Sequence, residues 1–188
     1  WVLYLFKKFY IIKKYKTKIK DLFILQSKTY KDKRGYFKKI LKEKLIKKKF
    51  PFKVMSYSKK NVIRGLHLQK KKAQGKFVTV VKGKIFDVVI DLRKKSKTFG
   101  KIFKIILSEK NCLSLYIPEG FAHAYYSYDK LNVVYYKLSN FYKPEFESGI
   151  NVMDKNLKIN WPTKNLKISK KDKDLKTLSE FCRTYKFL

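Results

Sequence analysis

Between Phe52 and Ser139 the chain is broken into seven short runs: FKVMSYS, FVTVVKG, KIFDVVIDL, KIFKIILS, CLSLYIP, HAYYSYD and NVVYYKLS. Each is rich in β-branched or aromatic residues, which suit a pleated, half-buried surface. Gly, Pro, Asn, Asp or Ser punctuate them at nearly regular intervals. Many short strands at even spacing predict an all-β sandwich or barrel. Strands do not alternate with helix-length segments, which excludes a doubly wound α/β sheet.

The flanking segments add detail. KDLFILQSKTY reads as strand, KDKRG as a turn and YFKKI as a returning strand. KILKEKLIKKKF has helix-like apolar spacing and ends near Pro51, so a helix is expected there. KGK, between two apolar runs, is expected to be a hairpin turn. A short helix is expected in KKDKDLKTLSEFCRTY. With no internal repeat and no dividing linker, the chain is expected to be an N-terminal extension over 1–16 and a single domain over 17–188. The extension, WVLYLFKKFYIIKK, is interrupted by lysines and too short to span a bilayer. No membrane insertion is expected. A frayed tail is the main expectation and a surface-lying segment the other. The absence of an initiating Met leads to the expectation of a fragment or an upstream extension.

The chain carries 48 basic and 14 acidic residues, a net charge of +34. Such a balance invites a nucleic-acid partner. The lysines, however, are spread along the whole sequence rather than gathered into a patch. Only four basic residues are arginine: Arg34, Arg64, Arg93 and Arg183. Surfaces dedicated to nucleic acid favour the planar arginine fork, so no nucleic-acid partner is expected and the lysine is read as compositional drift. That drift makes the arginines informative. One that persists answers a geometric need, such as gripping a phosphate through two parallel hydrogen bonds. Cys112 and Cys182 match no metal or redox spacing. Two free thiols in a reducing, cytoplasmic setting are expected.

His67 and His123 are the only histidines. There is no H-x-H pair, and two histidines do not complete the usual metal set of a small barrel. G-x-S-x-G is absent, as are phosphate-cradling glycine loops. What remains is proton chemistry. A histidine acts as base, a carboxylate fixes its tautomer, a lysine stabilises an oxyanion, and a tyrosine delivers a proton from the opposite side. Arg64 and His67 lie three residues apart, so in a regular strand they would face opposite ways. A bulge or turn at Gly65 would let both reach one cavity.

NVIRGLHLQ, AQGKFVTVVKGKIFDVVIDLRKKSKTFG, LYIPEGFAHAYY, YYKLSNFYKPEFESGI, INWP and ISKKD, preceded by KDKRGYF, occur in order over roughly residues 17 to 175. Together they resemble the dTDP-4-dehydrorhamnose 3,5-epimerase family. The resemblance implies a cupin-like β-barrel (jelly roll) with short flanking helices and no metal or other cofactor. It also implies a homodimer that exchanges N-terminal strands, and a nucleotide-diphospho-4-keto sugar inverted at C3 and C5. By the same resemblance His67 is the general base, Asp172 its partner, Tyr136 the acid on the other face, and Lys76 the residue that steadies the C4 enolate oxygen. Arg64, and Arg34 from the other subunit, bind the diphosphate and nucleotide. His123, Glu147 and Lys171 fall at further substrate contacts.

Departures from the family pattern are equally specific. Lys39 stands where a glutamate is usual, Phe52 and Val54 where Q-x-N is usual, Phe141 for a tyrosine and Ala124 for a glycine. The proton-transfer set is complete while the nucleotide-reading set differs. This leaves open a related 3- or 5-epimerase on another nucleotide-linked 4-keto sugar. A non-catalytic basic barrel that binds an anionic polymer is the remaining alternative.

Overall fold

A computed structural model describes residues 12–185. Among these residues two sheets dominate, with strands numbered in chain order. The first sheet runs β1 (Lys13–Lys16), β2 (Phe23–Gln26), β10 (Leu113–Ile117), β7 (Lys76–Lys82), β12 (Asn132–Leu138) and β5 (Phe52–Ser58). The second runs β13 (Glu147–Gly149), β6 (Val62–Gln69), β11 (Phe121–Ser127), β8 (Lys84–Asp91) and β9 (Ile102–Ser108). β14 (Lys167–Ile168) joins β6 in parallel. β3 (Thr29–Asp32) and β4 (Gly35–Lys38) form a separate hairpin around the KDKRG turn. Two short helices follow, α1 (Lys170–Lys173) and α2 (Leu178–Thr184). The architecture is an all-β jelly roll with short flanking helices, its two sheets packed face to face rather than closed into one barrel.

Each run of the sequence becomes a strand because its alternate residues meet the facing sheet. Val78, Val80, Leu115 and Val134 of the first sheet pack on Ile85, Val89, Leu107, Phe121 and Tyr125 of the second. The outer face of the second sheet is also covered. Leu66, Ile90, Ala122, Ala124 and Tyr126 lie under Ile150, Val152, Leu157 and Phe181 from the C-terminal segment. This double coverage buries β11 along its whole length. Residues such as Leu66 and Leu107, with no exposure, each contribute about 2 kcal/mol of hydrophobic stabilisation.

Several expectations are corrected. KGK is not a hairpin. β7 pairs with β10 and β12, and β8 pairs with β9 and β11, so the chain changes sheet at Gly83. One residue is too few to reverse a ladder. Gly83 instead takes φ +84°, where an added Cβ would lie 2.4 Å from the Leu131 carbonyl oxygen. The expected helix in KILKEKLIKKKF is a single 3₁₀ turn, Glu43–Leu45. Its apolar residues come as the pairs Ile40–Leu41 and Leu45–Ile46, which pack on Phe50, Phe77 and Tyr116 over the first sheet. A longer helix would stack its lysines at i, i+4 with only Glu43 to oppose them. The expected extension overlaps the sandwich, since Lys13–Lys16 are β1 and pair with β2. The frayed-tail and membrane-surface expectations for residues 1–11 lie outside the described residues. The C-terminal stretch folds as two helices rather than one, divided around Asp174.

Candidate active site

The inward faces of β5, β12 and β7 line up in register. One rung is Phe52–Leu138–Lys76 and the next is Val54–Tyr136–Val78. Lys76 and Tyr136 therefore enter the sandwich from the first sheet. From the second sheet come Arg64 and His67 of β6, and His123 and Tyr125 of β11. Between the two sets lies a cavity of about 700 Å³. Asp172, Lys171, Glu147 and Tyr142 close one side of it.

Gly65 resolves the parity problem of β6. His123 pairs with His67 and Tyr125 with Arg64, so Gly65 and Leu66 together oppose Ala124 alone. This two-against-one bulge puts Arg64 and His67 on the same side. Gly65 has φ +118°, and an added Cβ would lie 2.3 Å from the His123 carbonyl oxygen and 2.6 Å from the Ala124 Cα. Only glycine fits there.

His67 Nε2 is 2.7 Å from Asp172 Oδ1. The other oxygen of Asp172 accepts from the Gly65 N–H at 3.3 Å. Asp172 is buried in α1, whose N-terminus is capped by Ser169. Burial opposes the carboxylate's charge, but the hydrogen bonds from His67, Gly65 and Ser169, with the nearby imidazole charge, outweigh it and hold its pKa below the ordinary 3.8. With Nε2 engaged, Nδ1 is the ring nitrogen left to accept a proton. The nearest carboxylate to it is Glu147, at 4.0 Å. Glu147 accepts from Tyr142 Oη at 2.5 Å and pairs with Lys171. Burial again works against its charge, but Lys171 and Tyr142 keep its pKa below the ordinary value.

Lys76 Nζ donates to the His67 carbonyl at 3.1 Å. Burial lowers its pKa from 10.5 to about 8, with Asp87 and Glu147 opposing the drop. Burial raises the Tyr136 phenol well above its ordinary value. The His123 ring meets Tyr136 edge-on at 6.3 Å between centroids. His123 Nε2 lies 2.8 Å from Asp87 Oδ2. Arg64 donates through Nε to Ser58 Oγ at 3.0 Å and through Nη2 to the Tyr57 carbonyl at 3.1 Å.

The structure thus brings His67, Asp172, Tyr136, Lys76, Arg64, His123, Glu147 and Lys171 around one cavity. Arg34 is not among them. It sits in the β3–β4 turn, ion-paired to Asp32, with its side chain 89% exposed. Sequence reasoning missed Asp87, Tyr125, Ser56, Ser58 and Tyr142. Asp87 had a readable signal, a lone carboxylate inside the apolar run KIFDVVID. Among the described residues it carries the one buried side-chain oxygen without a partner, Oδ1. Tyr125 and the serines gave none, since hydroxyls are ordinary in strands. Val54 and Leu138 line the cavity as apolar groups, and the Phe52 and Phe141 rings lie 5.7 Å apart. Among the described residues no three His, Cys, Asp or Glu side chains converge as a metal-binding group.

Comparison with known proteins gives the same direction. The family described as dTDP-4-dehydrorhamnose 3,5-epimerase matches residues 16–180. The chain is 42% identical over 154 residues to the dTDP-4-dehydrorhamnose 3,5-epimerase of Salmonella typhimurium, covering 78% of this chain and 84% of that protein. It is 40% identical over 152 residues to that of Methanothermobacter thermautotrophicus, covering 78% and 82%. Among solved structures, the Legionella pneumophila dTDP-6-deoxy-D-glucose-3,5-epimerase in complex with dTDP-4-keto-L-rhamnose superposes with a TM-score of 0.86 at 37% identity, over 90% of this chain and 94% of that one. A match over nearly the whole described fold, with the bulged β6 and its histidine inside the matched region, makes the chain a member of the dTDP-4-dehydrorhamnose 3,5-epimerase family.

Proposed function

We propose that this chain epimerises dTDP-4-dehydro-6-deoxy-D-glucose at C3 and C5, giving dTDP-4-dehydro-L-rhamnose. The observation that carries the reading is that the His67 imidazole and the Tyr136 phenol line one cavity from opposite sheets. In the proposed reaction the C4 ketone acidifies the neighbouring C–H. His67 Nδ1 takes that proton, and the bonding electrons move to the C4 oxygen as an enolate. Asp172, already charged, holds the imidazole through Nε2 and stabilises the imidazolium that forms. Lys76, still mostly protonated at neutral pH with its pKa at about 8, faces the developing oxyanion. Tyr136 then gives its proton to carbon from the other face, which inverts the centre. The enolate electrons return as the C4 ketone, His67 passes its proton to solvent and Tyr136 recovers one, and the same pair then acts on the second carbon. Arg64 and Lys171 stand at the mouth to receive the diphosphate, with His123 and Glu147 against the sugar.

We also propose a homodimer in which Arg34 reaches the partner's site. The exposed β3–β4 turn and the apolar Met55 and Tyr57 on the outer face of edge strand β5, 69% and 53% exposed, support it. A nucleotide-sugar substrate and two free thiols support a cytoplasmic location. A single-centre epimerase on another nucleotide sugar is the second reading, favoured by apolar Val54 and Phe52 near the cavity. Incubation with dTDP-4-dehydro-6-deoxyglucose in deuterated water tests both. Deuterium at C3 and C5 is the expected outcome, deuterium at one carbon supports the second reading, and no exchange on any 4-keto nucleotide sugar refutes both. His67→Ala should lower exchange by about 10²- to 10⁴-fold.

A further inference from the structure

A chain of hydroxyls runs from Arg64 to Tyr136 along the cavity wall. Arg64 Nε donates to Ser58 Oγ at 3.0 Å. Ser58 Oγ lies 2.8 Å from Tyr125 Oη, Tyr125 Oη 3.0 Å from Ser56 Oγ, and Ser56 Oγ 3.5 Å from Tyr136 Oη. The members come from four strands. β5 supplies both serines on its inward face, and β6, β11 and β12 supply the rest.

The Tyr136 end sets the direction of the whole chain, because Ser56 Oγ donates to Tyr136 Oη. Arginine has donors only, whereas each hydroxyl has one proton to give. Ser58 is 2% exposed and Tyr125 1%, so neither hydroxyl has open solvent to turn to. Ser58 accepts from Arg64, and its own proton goes to Tyr125. Tyr125 in turn donates to Ser56, and Ser56 to the Tyr136 oxygen. With that oxygen already receiving a hydrogen bond, the Tyr136 proton is directed away from the chain and into the cavity. We propose that Tyr125, Ser58 and Ser56 are positioning residues that aim the Tyr136 O–H at the reacting carbon, with Ser56 donating to the phenolate left after Tyr136 gives up its proton.

This rests on the epimerase reading above. When Tyr136 protonates carbon, its O–H bond breaks, a C–H bond forms and the phenol oxygen keeps the electron pair. That charge develops in a buried site, where burial, with Tyr125 and Asp87 nearby, disfavours the phenolate and the Ser56 hydrogen bond acts the other way. A donor held in place before the reaction needs no reorganisation when the charge appears. The long 3.5 Å link is the one expected to shorten as the phenolate forms.

The test separates proton removal from proton return. In deuterated water His67, once protonated, exchanges with solvent, so an enolate that Tyr136 fails to protonate regains deuterium from the His67 side without inversion. Tyr125→Phe and Ser58→Ala are expected to lower kcat by roughly 10- to 100-fold. KM should change by less than about threefold, because the loss falls on the transition state. Both variants should also raise the ratio of deuterium exchanged with retention to product inverted. Ser58→Thr, which keeps the hydroxyl, should restore the wild-type ratio. A structural defect would lower exchange and inversion together and leave the ratio unmoved. An unchanged ratio in active Tyr125→Phe and Ser58→Ala, or a Ser58→Thr indistinguishable from Ser58→Ala, overturns the proposal. Absence of exchange in the wild-type protein removes the epimerase reading itself, a different outcome from wild-type exchange with an unmoved ratio.

Discussion

Replacing Lys76 with Met should make the protein more stable and less active at once. Lys76 is 9% exposed, and among the described residues its amine meets only the His67 carbonyl as a hydrogen-bond partner. Its pKa falls from 10.5 to about 8 because burial disfavours the charged form more than Asp87 and Glu147 favour it. The gap corresponds to about 3 kcal/mol by which the fold is weakened at neutral pH. Met fills a similar shape without the charge. In a domain of this size the gain would raise Tm by about 6–12 °C.

The sign follows from linkage. Below about pH 8 the amine is protonated in both the folded and unfolded chain, and the fold bears the whole penalty. Between about 8 and 10.5 the folded amine is neutral while the unfolded one is still charged, so wild-type stability rises with pH. Above 10.5 both are neutral and the penalty is gone. Urea denaturation of wild type and Lys76→Met, at fixed protein concentration from about pH 7 to the alkaline end of this window, should show curves that converge as pH rises. Activity of the variant should fall by about 10²- to 10³-fold, the usual loss when an oxyanion stabiliser is removed. Parallel stability curves would refute the reasoning, because a difference that does not titrate does not come from this charge.

Three further outcomes are expected. Asp172→Asn should lower turnover by about 10²-fold or more, because the imidazole loses its orienting anion. It should also flatten the acid limb of the stability curve: a carboxylate held below 3.8 stabilises the fold above that value, and the contribution is lost as pH falls through the folded pKa. Arg93→Lys should destabilise by about 2–3 kcal/mol in denaturant titration while kcat per folded molecule is unchanged. Arg93 holds both oxygens of the fully buried Asp91 and also reaches Asp21 and the Lys20 carbonyl. Gly65→Ala should cost several kcal/mol, or prevent folding altogether, as read by circular dichroism and thermal melting, since its Cβ has no room against β11.

The strands were legible because their signal is local. A β-branched or aromatic run closed by turn residues needs no knowledge of the rest of the chain. What pairs with what is not local, and KGK shows the limit. The same three residues serve a hairpin or a sheet change, and only the partners β10 and β12 on one side and β9 and β11 on the other decide. The lysine-rich strap before Pro51 shows the same failure in helix reading, where apolar spacing alone outvoted the stacked charge. The site residues His67, Asp172, Tyr136 and Lys76 were reached through motif order. The residues behind them were not: Tyr125, Ser56 and Ser58 each look ordinary within their own strands, and the lone carboxylate of Asp87 in its apolar run names no partner. Their role appears only when β5, β8, β11 and β12 bring them within hydrogen-bond distance.

The arginines show what a biased composition reveals. In a chain where nearly every cation is lysine, charge alone explains no arginine. Arg34 donates to both oxygens of Asp32, Arg64 to Ser58 and the Tyr57 carbonyl, and Arg93 to Asp91, Asp21 and the Lys20 carbonyl. Arg64 and Arg93 each span acceptors in fixed, divergent directions, which a single ammonium cannot do. Arg183, whose side chain donates to Ser179 alone, is the exception. At position 64 the contrast bears on the chemistry. A lysine there would keep the positive charge for a diphosphate, but it could not bridge Ser58 and Tyr57 with a planar fork. Ser58 would then lose the donor that holds its oxygen at the head of the hydroxyl chain leading to Tyr136. The fork at Arg64 therefore anchors the hydroxyl chain that ends on Tyr136, beyond any attraction it exerts on a phosphate.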